Sequence, residues 1–329
     1  MNWKGRSGRG GTATDPATDQ PGAVTPDHLP PPGGSPMRQF TAVVNPTAGG
    51  STAAAALLHV GRLLREAGAE LEIEHSRGLA HAQDLARRAG ERGRVVLAVG
   101  GDGIAGCVGG ALGGTGAVLG LVPAGRGNDF ARALGLPTDP AALAGVLLHN
   151  APRLVDTIEV ESAVHHGTVV LGSVYAGVDA LANRHANNAR LLRGAASYYA
   201  GGLRAVTTWR AAAYRVTVDG QHHTHRGYTV VAANSAYYGS GRAIAPAARV
   251  DDGLLDIVMI REAPRRLFFA LMNELSTGAH VNRPEVRVLR GREIRIEADR
   301  PMPYGADGEV EATLPVTARV RPGDLAVLC

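Results

Sequence analysis

Apolar positions along this chain follow two rhythms. Up to about residue 150, short apolar runs alternate with stretches whose apolar residues recur every three or four positions. The runs at 40–44, 70–74, 94–99 and 117–122 read as strands. The stretches at 52–67, 81–89, 107–112 and 141–149 read as helices, the first closed by Gly68. After Arg94 the third of these runs is apolar from Val95 to Val99, as a strand covered on both faces must be. Strand alternating with helix predicts a parallel α/β layer that takes its ligands at the carboxyl ends of the strands.

From about Leu154 the rhythm becomes strand after strand: 157–160, 168–172, 213–218, 228–233, 255–260, 286–290, 293–298 and 317–319. Asp219-Gly220 and Asp252-Gly253 mark turns, and two helical intervals stand at 189–208 and 265–278. The expectation is α/β plus all-β. It comprises a parallel α/β domain at 37–153 and an antiparallel β-rich domain at 154–329, whose last strand is free to return to the first. The active site then lies in the cleft between them. Residues 1–36 are rich in Gly, Pro, Thr and Asp, bury almost nothing, and are expected to be disordered. Met37 opens MRQFTAVVN, directly into the first strand, and is a candidate natural start.

Composition narrows the function classes. Apolar residues make up 45% of the 329, enough for real cores, yet no uninterrupted run is long enough to span a bilayer. Aromatic residues are 4%, too few for recognition by base stacking, so no nucleic-acid partner is expected. Lys and Arg number 34 against 30 Asp and Glu, a mild excess that suits anionic small molecules or a lipid surface. Two cysteines, Cys107 and Cys329, form no disulfide framework, which suggests the cytoplasm.

Three glycine-bearing turns follow strands of the first half: Asn45-Pro46-Thr47-Ala48-Gly49-Gly50, Gly100-Gly101-Asp102-Gly103, and Pro123-Ala124-Gly125-Arg126-Gly127-Asn128-Asp129-Phe130. Such turns bring backbone N–H groups close to a ligand, and the following helix adds its positive end. Each alone reads equally as a tight corner; three at successive strand ends converge on one crevice and point to nucleotide phosphates. No G-K-[ST] follows the glycines, and no dinucleotide fingerprint is present. Asp102 can face a Mg²⁺-bound phosphate or cap the following helix. Glu309, after Asp307-Gly308, can swing a carboxylate into a cleft or stand solvated on a hairpin.

These residues carry a resemblance. GGDG after a buried strand, NP-x-x-G after the first strand and PAGRGNDFARALGLP are similar to the catalytic domain of the diacylglycerol kinase and sphingosine kinase superfamily, in its bacterial soluble branch. The likeness continues through Gly172–Asp179, Asn234-Ser235, Tyr238-Gly239, APAARVDDGLLD from Ala245 to Asp256, and Ala306-Asp307-Gly308-Glu309. GGDG is shared with NAD kinases and phosphofructokinases, whereas PAGRGNDFAR with APAARVDDGLLD is specific to the lipid kinases.

The resemblance implies an ATP- and Mg²⁺-dependent lipid kinase, with diacylglycerol the leading acceptor. Asn45, Pro46, Thr47, Ala48, Gly49, Gly100, Gly101, Gly103, Ile104 and Gly106 would line the nucleotide phosphates, with Gly125, Arg126, Asn128 and Asp129 beside them. Ser76 matches a nucleotide-contacting threonine. Asp102 and Asp156 would join a Mg²⁺ and water network, and Glu309 of the Asp307-Gly308-Glu309 motif would be the general base. A structural Mg²⁺ would be held by the Asp252 carboxylate and the carbonyls of Arg249 and Leu254.

The chain departs from the family pattern where Ile104 replaces a Thr, Gly106 an Asn, and Arg126 another Thr. That removes polar contacts and adds a guanidinium able to fork onto a phosphate. Arg184, His185, Arg190, Arg193, Arg204 and Arg210, with Tyr198, Tyr199 and Trp209, suit transient docking on an anionic membrane, or form a solvated face. Phe268, Phe269, Leu271 and Met272 suit a lipid-tail groove or core packing. A homodimer is compatible with the sequence. Two alternatives stay open: an NAD kinase-like enzyme with a soluble acceptor, and a nucleotide- or lipid-binding regulator that has lost turnover.

Overall fold

Alternation along the first strands sets the architecture. In β1 (Gln39–Val44), Ala42 and Val44 face one side and Val43 the other; in β3 (Val95–Gly100), Leu97 and Val99 oppose Val96 and Ala98. A sheet apolar on both faces must be covered twice. Helices α1 (Gly50–Glu66) and α5 (Pro140–His149) pack on the first face through Leu57, Leu64 and Leu147. Helices α2 (Leu79–Glu91), α3 (Asp102–Leu112) and α4 (Asp129–Ala133) cover the second through Leu85, Val108 and Phe130. With β2 (Glu70–His75) and β4 (Val118–Pro123), the strands run parallel in the order β2-β1-β3-β4.

The computed structural model describes residues 37–45, 50–181, 211–308 and 312–329. The expected disordered tail at 1–36 and the helical interval at 189–208, with its basic and aromatic residues, lie outside them. So do residues 46–49 and Glu309, and the side chains of Phe268 and Phe269. Leu271 is buried in the core, on helix α6 (Arg265–Glu274).

The second half is antiparallel. It comprises β5 (Pro152–Ser162), β6 (Thr168–Val170), β7 (Ser173–Gly177), β8 (Ala212–Val218), β9 (Gln221–Ala233), β10 (Leu255–Arg261), β11 (Val286–Gly291), β12 (Glu293–Ala298), β13 (Pro303–Ala306), β14 (Ala312–Thr313) and β15 (Val316–Leu328). Asp219 and Gly220, both at positive φ, form the two-residue hairpin between β8 and β9.

The two halves share one sheet of 15 described strands. The join is β15. One edge of it pairs with β5 from start to end; on the other edge its start pairs with β12 and its end pairs in parallel with β4 at Val118 and Leu119. It also feeds every core: Val316, Ala318 and Val320 in the second half, Leu325 and Val327 under α2 and α3, and Leu328 under α1 and α5.

Candidate active site

The parallel strands end at one edge, and the glycine turns end there with them. Ser76, directly after β2, donates its N–H to Val44 O at 2.8 Å, beside buried Asn45. The Ser76 hydroxyl is buried without a hydrogen-bond partner among the described residues, which fits a contact to a bound ligand. The turns after β3 and β4 touch: Ala124 N donates to Gly100 O at 2.7 Å, and a Cβ on Gly101 would meet the Gly125 Cα at 3.1 Å. Only glycines allow that approach. Asn128, in the left-handed region at φ 51°, closes its turn by bonding Gly125 N at 2.9 Å and Gly125 O at 3.0 Å. Arg126 stands exposed on this turn.

Three carboxylates gather behind the turns. Asp102, in the first turn of α3, accepts a hydrogen bond from Phe130 N at 3.2 Å. Burial and the neighbouring charge of Asp129 push its pKa up to about 6, with Asp307 adding to the rise. Asp129 is itself fully used: Ser240 N and Gly241 N donate to it at 2.9 and 2.5 Å. Those amides belong to a loop of the second half in which Gly239, Ser240 and Gly241 all have positive φ. Arg132 lies over the Tyr237 ring of the same loop, 5.7 Å from its centroid.

Asp307 follows β13. Its carboxylate accepts from Leu171 N at 2.6 Å, Gly172 N at 2.8 Å and Ser173 N at 3.0 Å. Burial raises its pKa against the pull of those three donors. Three backbone donors thus hold the Asp307-Gly308 turn in place. Asn234 reinforces it from behind, donating to Leu171 O and Asp156 O, each at 2.9 Å.

The other expected site residues lie as follows. Ile104 cannot present its side chain to a nucleotide, because it is 2% exposed and packs in the core under α3. Gly106 is buried too and faces Asp307: a Cβ there would stand 2.9 Å from Oδ2. Asp156 is buried, and its two oxygens accept from Gly253 N at 2.7 Å and Gly323 N at 2.8 Å, so it braces the loop before β10 against β15.

The one carboxylate expected to hold a structural Mg²⁺ is already engaged. Asp252 Oδ1 accepts from Leu254 N at 3.1 Å, and its other oxygen is taken by the Arg290 guanidinium. The Arg249 guanidinium pairs with Asp251, 3.5 Å away, while the ligand expected of Arg249 is its carbonyl.

Sequence reasoning missed the Ser240 and Gly241 amides, the Leu171–Ser173 amides, and the roles of Asn234 and Arg290. The Gly-Ser-Gly run after Tyr238 was a usable signal for a left-handed loop; backbone donors and cross-strand pairs left none.

Glycine turns at the ends of parallel strands, with the Asp307 carboxylate set against α3, suit a site that holds phosphates. Comparison with known proteins agrees. Residues 39–160 match the diacylglycerol kinase catalytic domain, and residues 172–329 match the C-terminal NAD kinase beta sandwich-like domain of YegS. A diacylglycerol kinase of Mycobacterium tuberculosis is 33% identical over 298 residues, covering 88% of this chain and 94% of that protein. A protein of Pseudomonas aeruginosa named "Probable lipid kinase YegS-like" is 34% identical over 266 residues, covering 80% of this chain and 86% of that one. The crystal structure of a diacylglycerol kinase from Bacillus anthracis superposes with a TM-score of 0.68 at 18% identity, covering 90% of this chain and 98% of that one. The chain belongs to the diacylglycerol kinase family. Its activity is that of a lipid kinase using ATP.

Proposed function

We propose that the protein transfers the γ-phosphoryl group of Mg²⁺-bound ATP to the free hydroxyl of diacylglycerol. The observation that carries this reading is the contact of Asp307 with Gly106. It sets the Asp-Gly-Glu turn of one half against the helix that follows the Gly-Gly-Asp-Gly turn of the other.

In this reading the backbone N–H groups around Gly100–Gly103 and Gly125, with the Ser76 hydroxyl and exposed Arg126, hold the phosphates. Mg²⁺ carried with ATP offsets phosphate charge, and Asp102 orders the water around it. Glu309 takes the proton of the acceptor hydroxyl as its oxygen attacks the γ-phosphorus, and ADP leaves. Asp307 and Asp129 position the turns and touch no reacting atom. Arg249, Asp252 and Leu254 keep the loop before β10 in shape. The acceptor reaches the cleft by transient contact with an anionic membrane. Among the described residues no helix is long and apolar enough to cross one. Assembly as a homodimer is compatible with this mechanism, which uses no residue of a second copy.

The deciding experiment incubates the protein with γ-labelled ATP and, in parallel, diacylglycerol, phosphatidylglycerol, sphingosine and NAD. Labelled phosphatidic acid is expected. Label in NADP, or in no acceptor while ATP still binds, replaces this reading with one of the two alternatives. Glu309→Gln is expected to abolish transfer while leaving nucleotide binding intact.

A further inference from the structure

The loop that leads into β10, Arg249–Asp256, carries three carboxylates within six positions, Asp251, Asp252 and Asp256. Family likeness assigns this loop a structural divalent cation, yet its own surroundings already supply the positive charge. Strand register does the delivering: Arg290 on β11 stands directly opposite Asp256 on β10. From there the guanidinium reaches both Asp252, through Nη2, and Asp256 Oδ2, 3.5 Å from Nε. Bridging two carboxylates of one loop is what a bound cation would accomplish.

The remaining charges are matched as well. Asp251 pairs with Arg153 at 2.5 Å and with Arg249 at 3.5 Å. Three guanidiniums thus serve the three carboxylates of this segment, and both oxygens of the expected ligand Asp252 are engaged. Asp156 holds the opposite side of the loop: its N–H donates to Val250 O at 2.6 Å, and its carboxylate accepts from Gly253 N at 2.7 Å. Asp256 is 2% exposed, and its Oδ2 has no hydrogen bond, so the Arg290 charge is its main compensation.

We infer that in this chain the Arg290 guanidinium takes the place of the structural metal, so that the Asp252 loop folds and persists without a divalent cation. The inference concerns the loop and not the ATP-bound Mg²⁺, and it stands or falls separately from the acceptor and the reaction.

The test is thermal unfolding of the nucleotide-free protein in excess EDTA, in Mg²⁺ and in Ca²⁺. The wild-type midpoint is expected to be the same in all three. Arg290→Gln is expected to melt roughly 3–10 °C lower in EDTA, and Mg²⁺ or Ca²⁺ should recover at least half of that loss by entering the vacated position. A wild-type midpoint that rises by several degrees on adding Mg²⁺ overturns the inference. So does an Arg290→Gln variant that melts like wild type in EDTA, or one whose loss no divalent ion repairs. The wild-type melts decide the matter even where the Gln variant does not fold.

Discussion

Gly106 and Asp307 touch across the two halves of the molecule, with 2.9 Å between an ideal Cβ on the glycine and Asp307 Oδ2. The carboxylate cannot retreat, because three consecutive amides hold it. Gly106→Ala therefore forces either α3 or the Asp-Gly-Glu turn to move. We expect a loss of about 1–3 kcal/mol in stability and a fall in kcat larger than the rise in KM for ATP. Calorimetric melting with steady-state kinetics checks both; an alanine variant with wild-type Tm and kcat refutes the contact.

Asp102 links activity and stability in opposite directions. Its folded pKa, about 6, lies above the ordinary carboxylate value of 3.8. The folded state therefore prefers the protonated form: this group's contribution is most favourable below pH 3.8 and is lost as pH rises through 6. Asp102→Asn is expected to raise stability at pH 7–8 by on the order of 1–3 kcal/mol while abolishing turnover. The gain should vanish as the pH of the melt falls below about 4. A variant no more stable than wild type at pH 8 contradicts the burial of this charge.

Asp129 is a latch whose removal is readable by hydrogen exchange. Asp129→Ala should speed exchange at the Ser240 and Gly241 amides, which now donate to it. It also removes a charge that raises the Asp102 pKa, so the acid limb of the pH–rate profile should move to lower pH. An unmoved limb would show that Asp102 does not set it.

For Arg126→Ala we expect a several-fold higher KM for ATP with an unchanged Tm, because the side chain is exposed on its turn. An unchanged KM would put the guanidinium outside the phosphate site.

Fold class and the glycine turns after β3 and β4 were legible because they rest on local signals: apolar period, and glycine where backbones must meet. Helix α3 was read as starting at Cys107, whereas it starts at Asp102. That difference decides how Ile104 and Gly106 are understood. As loop residues they look like lost nucleotide contacts; as helical residues they face the core and Asp307. Asp156 was expected in a Mg²⁺ and water network; its role as a brace left no local signal, since its partners Gly253 and Gly323 lie about 100 and 170 residues away. Arg290 looks like any surface arginine until the β10–β11 register sets it opposite Asp256.

The return of β15 to β4 has a consequence for synthesis. Val118 emerges from the ribosome long before its partner Ala326 exists. At about 5–20 residues per second, β4 waits on the order of 10–40 s with one edge unpaired. During that interval the first half carries a strand edge open to pairing with any neighbouring chain. The nucleotide half therefore cannot finish folding as an independent unit during translation, and deleting only the last few residues should compromise it more than the β-rich half that precedes them.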